Sequence, residues 1–271
     1  MSQFWRDPAL PFVESRRASH SRACYRAHSH PTLSIGVVDR GRSLFQCRDA
    51  RFTLTPGSLV SIPANVVHAC NPLPTLSWSY QMLYLDADWV ADVLGNEASL
   101  SHANAFVVAS SPAYRAFCRL NARLFSSASN EEKEAELIAF LRERLWCSGT
   151  AIALPGPSRT RLATIQARLL EDLDRPLSLE TLAQNHGLSR YQLIRLFRRE
   201  TGLTPHAWLQ DRRIRQARRR LQQGADLASL AQELGFADQG HFQRVFKDRV
   251  ATTPGRYRHR DPGAEDRAIR S

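Results

Sequence analysis

The chain of 271 residues contains no run of about 18 apolar residues, the length a membrane-crossing helix needs. It opens "MSQFWRDPALPF", with no apolar stretch behind a basic start, so no secretory signal is expected. Its five cysteines, Cys24, Cys47, Cys70, Cys118 and Cys147, are scattered and form no CxxC pair. This speaks against a disulfide framework and for reduced thiols in a cytoplasmic location. No Ser-His-Asp set or paired-carboxylate constellation stands out, so nothing points to hydrolytic catalysis.

The first half also lacks net charge. Residues 1–155 carry 15 Lys and Arg against 13 Asp and Glu, whereas residues 156–260 carry 20 against 10. The overall +11 therefore belongs almost wholly to the last third. Such asymmetry suggests a polyanionic partner for one part of the chain only. A solvated basic surface would give the same count. Hydrophobic residues at 43% and charged residues at 23% are ordinary for a globular protein, and the length suits two domains.

Residues up to about 110 read as β structure. "TLSIGVVDRGRSLFQC", "RFTLTPGSLVSIPANVVHAC" and "LSWSYQMLYLD" are short β-prone runs broken at Gly41, Gly57 and Pro63, the pattern of a sandwich or barrel. The texture then changes. "SPAYRAFCRLNARLF" puts Tyr114, Phe117, Leu120 and Leu124 on one helical face. "SNEEKEAELIAFLRERLW" follows, with Ser129 and Glu132 spaced as a capping box and Leu137, Ile138, Leu141 and Leu145 as its apolar stripe. "TAIALPGPSRT" is the best linker candidate. Helices follow to about Arg258, then a short polar tail, "DPGAEDRAIRS".

The helical part contains the same element twice. Leu179, Leu182, Ala183 and Gly187 match Leu227, Leu230, Ala231 and Gly235. Leu193, Arg195, Leu196, Phe197 and Pro205 match Phe242, Arg244, Val245, Phe246 and Pro254. In each copy a short helix ends at a glycine suited to the left-handed conformation. A second helix then starts at a capping residue, Ser189 with Gln192 or Asp238, and buries Leu193, Leu196 and Phe197, or Phe242, Val245 and Phe246. That is a helix-turn-helix unit. Thr204-Pro205 and Thr253-Pro254 begin the next helices, and "PHAWLQDRRIRQARRRLQQG" is long enough to join the units. The outward face of the first unit is then Arg190, Tyr191, Ile194, Arg195 and Arg198. That of the second is Gln239, Gly240, His241, Gln243 and Arg244. Arg suits guanine and Gln adenine in a major groove, so two such faces in a basic domain predict binding to double-stranded DNA.

"LSLETLAQNHGLSRYQLIRLFRRETGLTPHAWL" with "LASLAQELGFADQGHFQRVFKDRVATTPGRYR" resembles the AraC/XylS-type bacterial transcription regulators, over roughly residues 160–258. Ala251 departs from the glycine usual in their "GxTP" motif, which implies a slightly different turn there. "HSHPTLSIGVVDRG" and "GSLVSIPANVVHAC" space His28, His30, Ser34 and Gly41, then Gly57, Pro63, Asn65 and His68, as in the two cupin motifs. Metal cupins carry a glutamate ligand at the position of Ser34. Its absence makes residues 1–110 resemble the cupin-like effector domain of AraC-type regulators more than a cupin enzyme.

In a strand, residues two apart face one side, so His28 with His30, and His68 with Cys70, can point inward. These four residues are read first as lining of an effector pocket; Trp78 and Tyr80, also two apart, are candidates for the same pocket, although aromatics facing a barrel interior are more often core than ligand contacts. A zinc-type set of His28, His30, His68 and Cys70 and a purely structural role are the alternatives, and no cofactor is expected.

The expectation is thus an α+β two-domain protein. Residues 1–150 form a cupin-like β-barrel with two following helices, 151–158 a linker, 159–260 an all-α tandem helix-turn-helix domain and 261–271 a tail. The resemblance implies a cytoplasmic transcriptional activator or repressor that is not an enzyme, dimerises through the helices near 113–147, responds to a small-molecule effector and can meet RNA polymerase. Because regulators with the "HACNP" pattern can accompany amino-acid exporters, it implies an amino acid first. Competing readings are a cupin-type metal enzyme fused to a DNA-binding domain and a ligand-independent DNA-binding protein.

Overall fold

The computed structural model describes residues 2–95, 104–109, 111–143, 145–154, 161–171, 173–175 and 178–258. The chain forms two compact units, whose main division falls between Leu154 and Pro155.

The first unit is built on β1 (Ser2–Trp5), β2 (Val13–Ser21), β3 (Leu33–Arg40), β4 (Ser43–Cys47), β5 (Ala50–Leu54), β6 (Ser58–Ile62), β7 (His68–Pro72), β8 (Trp78–Leu85), β9 (Asn104–Ala109) and β10 (Thr150–Ala153). Seven strands pair in the order β1-β2-β8-β3-β6-β9-β10 and three in the order β5-β4-β7. All the pairings are antiparallel. Gly41 and Gly57 turn the chain at φ 77° and 87°. At Gly41 a Cβ would also collide with the Ser77 carbonyl oxygen, so the position needs glycine twice over.

Side-chain alternation gives the large sheet two apolar faces. One face packs Val60, Ile62, Trp78, Tyr80 and Ala105 against Phe45, Cys47 and Leu54 of the small sheet. This is the interior expected for a cupin-like barrel. The other face packs Leu33, Ile35, Leu59, Leu83 and Leu85 against helices. Those helices are α1 (Ala87–Leu94), α2 (Ser111–Leu124) and α3 (Asn130–Glu143). Each fully buried Leu, Ile or Phe contributes about 1.5–3 kcal/mol.

The two apolar stripes read from sequence are used up here. Phe117, Leu120, Leu124, Leu137 and Leu141 are fully or almost fully buried in this core, and Phe117 meets Phe140 edge-on at 6.1 Å. Ile138 and Leu145 are half-buried. The capping box that starts α3 is present: the Ser129 N–H donates to Glu132 Oε2 at 2.9 Å, and the Glu132 N–H to Ser129 Oγ at 3.2 Å. A polar network seats α2 on the sheet. Ser15 Oγ donates to Asn121 Oδ1 at 2.6 Å, the Asn121 amide donates to Gln81 Oε1, and Gln81 and Tyr114 both donate to Asp39 Oδ1.

Two stretches differ from the sequence reading. α1 lies within the region read as β. Asp86 caps it, accepting from the Asp88 and Trp89 N–H groups at 3.0 Å, and Val90 and Leu94 enter the core. Thr150–Ala153, read as the start of a linker, instead pairs with β9, because Ile152 has an apolar interior to fill. Residues 155–160 and the tail 261–271 lie outside the described residues.

The second unit consists of α4 (Arg161–Glu171), α5 (Leu179–Gln184), α6 (Arg190–Thr201), α7 (Pro205–Gln222), α8 (Leu227–Glu233), α9 (Gln239–Val250) and α10 (Pro254–Arg258). The duplication is real in three dimensions. α5 and α6 form one helix-turn-helix, α8 and α9 the other, and α7 runs between them. Ser178, Ser189, Thr204, Asp226 and Asp238 each cap the following helix through a side-chain oxygen, which satisfies otherwise orphan N–H groups. Gly187 and Gly235 take φ 62° and 68° in the turns. None of the described helices is long and apolar enough to cross a membrane.

Candidate effector pocket and DNA-reading helices

His28 and His30 lie ahead of β3 rather than in a strand, and His68 begins β7; His30 and His68 belong to the first unit, whereas Tyr25–His28 groups with the second. All three are buried. The rings of His30 and His68 are 5.2 Å apart, and His30 meets Tyr84 edge-on at 5.0 Å. His28 Nδ1 sits 2.8 Å from the Arg26 carbonyl and His68 Nδ1 2.9 Å from that of Val66. A carbonyl only accepts, so each of these Nδ1 atoms carries a proton. Imidazole is a side chain that can hydrogen-bond a ligand or, when neutral, coordinate a divalent ion.

Cys70 follows His68 in β7. Desolvation first, then the neighbouring Cys47, pushes its thiol up to about 12. Trp78 and Tyr80 are buried and stacked at 4.1 Å in the barrel interior. The Trp78 Nε1 donor and the Ser34 hydroxyl are buried without a hydrogen-bond partner, so two of the interior's polar groups are left unspent.

Two residues on the interior side were missed in the sequence. Glu14 and Arg16 of β2 are buried and alternate with Val13, Ser15 and Arg17, which face the helices. Arg6 pairs with Glu14 at 2.7 Å, and the Arg16 guanidinium lies over the Tyr80 ring at 5.6 Å. The signal was available: charges at alternate positions of the β-prone stretch "VESRRASHS" cannot all face water in a central strand.

In the second unit, α6 buries Leu193 and Phe197 completely, with Phe197 edge-on to Trp208 of α7 at 6.0 Å. Leu196 is only half-buried. On the opposite face Arg190, Arg195 and Arg198 are exposed, and Ile194 is half-buried. Arg190 lies 3.7 Å from Glu180. Tyr191 is 71% exposed, unusual for so large an aromatic on a well-formed helix. α9 buries Phe242, Val245 and Phe246 and exposes Gln239, Gly240, Gln243 and Arg244. His241 differs from its neighbours. It is half-buried, its Nδ1 accepts from the Ala237 N–H at 3.4 Å, and its ring packs on Phe236.

Both helices thus present one apolar face inward and one polar face outward, rich in Arg on α6 and in Gln on α9. The outward faces carry the donors and acceptors that read base edges. Ala251 ends α9 in the left-handed conformation, the same class of cap that Gly202 gives α6. The different turn expected from the missing glycine does not occur.

Two family models match the sequence: an AraC-like ligand binding domain over residues 13–145 and a helix-turn-helix domain over residues 182–260. Among named relatives, the chain is 26% identical over 243 residues to YbfI of Bacillus subtilis, described as an uncharacterized HTH-type transcriptional regulator. It is 27% identical over 248 residues to the HTH-type transcriptional activator RhaR of Escherichia coli. Each match covers 87% of this chain and 87% of the relative. The crystal structure of ToxT from Vibrio cholerae O395 has a similar fold, with a TM-score of 0.58 at 11% identity, covering 97% of this chain and 98% of that one. With a ligand-binding barrel at one end and duplicated helix-turn-helix units at the other, the chain belongs to the AraC-type transcriptional regulators.

Proposed function

We propose that this regulator is a cytoplasmic, non-enzymatic, homodimeric activator in which the unit that ends at Leu154 binds an effector and residues 159–260 read DNA. The observation that carries the DNA reading is the pair of outward faces. Arg190, Tyr191, Ile194, Arg195 and Arg198 contact one half-site. Gln239, Gly240, Gln243 and Arg244 contact the other, with His241 at its edge. In such units the recognition helices enter major grooves about one turn, roughly 34 Å, apart.

The effector is an amino acid held in the barrel interior. Arg16, beside the Tyr80 ring, is of the charge and shape that suit a carboxylate. The Trp78 Nε1 donor and the imidazoles of His30 and His68 supply hydrogen bonds, while Tyr80 and Cys70 complete the lining. ToxT, similar in fold, has been solved with an unsaturated fatty acid bound, and a carboxylate is common to both ligand classes. Ser34, where a metal-binding barrel would place an acid, supports a pocket rather than a metal enzyme.

Dimerisation uses the charged faces of α2 and α3, because their apolar stripes are buried within the chain. Arg115 and Arg119 are exposed on one, Glu131 and Glu132 on the other. A partner role for RNA polymerase follows from activation.

Thermal melting of the full chain against single amino acids and fatty acids tests the effector. An amino acid should raise the melting point of wild type and not of Arg16→Met. A shift by fatty acids alone, or one that survives Arg16→Met, would contradict this assignment. A fragment beginning at Pro157 should bind the same DNA with a steep salt dependence and lose the effector response. A fragment that still answers to the effector would contradict the division of labour.

A further inference from the structure

α7 is not alone in connecting the two helix-turn-helix units. Arg213, on its buried side, spends three N–H groups on backbone carbonyls. Nε donates to Leu173, Nη2 to Arg175 and Nη1 to Gly235, each at 2.7 Å. Leu173 and Arg175 lie in the turn ahead of α5, at the entrance to the first unit. Gly235 lies in the turn between α8 and α9 of the second. One planar guanidinium therefore grips both units at once.

The backbones meet at the same point. A Cβ on Gly235 would strike the Asp174 carbonyl oxygen and the Arg213 guanidinium. Gly235 has φ 68°, so the position demands glycine for its conformation and for this close approach. The Arg213 side chain also lies over the Phe236 ring at 5.8 Å.

We infer that Arg213 is a positioning residue that holds the two units in one relative orientation and so sets the half-site spacing the regulator accepts. This rests on the DNA-reading proposed above. The guanidinium fork is rigid and its bonds are charge-assisted, so the two turns cannot rotate independently while it holds them. A lysine offers a point charge with no fork and cannot span three divergent carbonyls. Moving a half-site by one base pair turns it about 34–36° around the helix axis, so a rigid pair of readers tolerates one spacing and a loose pair tolerates several. A merely structural arginine would behave otherwise: its loss would weaken all DNA binding alike.

The test uses the full chain and a duplex that wild type selects from a random pool. From it come duplexes with one half-site scrambled and duplexes with one, two or five base pairs inserted between half-sites. Failure of wild type to enrich any sequence would refute the DNA reading itself and not this inference. Given an enriched duplex, wild type should show a single sharp spacing optimum. Arg213→Lys and Arg213→Met should both lose at least tenfold on the paired sites, keep single-half-site affinity within about twofold, and show a flattened spacing profile. Melting of each variant reports folding separately. Arg213 is not the positioning residue if both variants retain the wild-type spacing optimum, or if they lose single-site and paired-site binding by the same factor.

Discussion

Ala251 takes the left-handed position in the second repeat, at φ 53° and ψ 29°, that Gly202 takes in the first, at φ 78° and ψ −2°. Both N–H groups close the helix by donating four residues back, to Lys247 at 2.8 Å and to Arg198 at 2.9 Å. The tertiary fold thus imposes the cap whether or not the residue suits it. An L-residue with a Cβ costs about 1–2 kcal/mol there. Glycine avoids that cost but loses about 0.5–1 kcal/mol through unfolded-state entropy. Ala251→Gly should therefore stabilise the protein by about 0.5–1 kcal/mol and leave DNA affinity unchanged. Denaturant melting reads this directly; a loss of stability would show that Ala251 is not strained.

Asn121 holds α2 on the sheet through both ends of its amide. Asn121→Leu would leave Ser15 and Gln81 buried with fewer partners, at a cost of about 1–3 kcal/mol for each unsatisfied group. The full chain should melt earlier, with the barrel's near-ultraviolet signal lost first. An unchanged melting curve would mean that water replaces the amide.

The thiols should react in a fixed order. Cys24 is exposed, whereas burial pushes the Cys47 thiol up to about 11 and the Cys70 thiol up to about 12. The thiolate is the reactive form, and a raised pKa leaves very little of it at neutral pH. An alkylating reagent at pH 7.5 should label Cys24 and spare Cys47 and Cys70 until the protein unfolds. Rapid native labelling of Cys70 would contradict its placement.

Much of this architecture was legible in the sequence because its signals are local. The capping pairs Ser189–Gln192 and Ser129–Glu132 were readable within four residues, and the duplication showed both helix-turn-helix units. What escaped depends on distant partners. Glu14 and Arg16 are legible as interior only once β2 is known to lie between β1 and β8. Arg213 looks like one more arginine in "DRRIRQARRR" until Leu173, Arg175 and Gly235 are brought to it. α1 was hidden because its short apolar pattern follows directly on a β-prone run. His28 and His30 were expected side by side on a strand; they lie ahead of β3 in an irregular segment instead.

His68 separates pocket from metal. His68→Ala should abolish the effector-induced melting shift, while elemental analysis of wild type should find no stoichiometric metal. One equivalent of zinc in wild type, absent from His68→Ala, would make the histidines ligands rather than pocket lining.

The most direct test of the central claim is selection of bound duplexes from a random pool by wild type, Arg195→Ala and Arg244→Ala. The account predicts a two-part motif for wild type. Each variant should lose about 1–3 kcal/mol and relax preference at one base pair of its own half, whereas Arg219→Ala should weaken binding evenly, as a phosphate contact does. No enriched motif, or an even loss across all sequences for Arg195→Ala and Arg244→Ala alike, would contradict it.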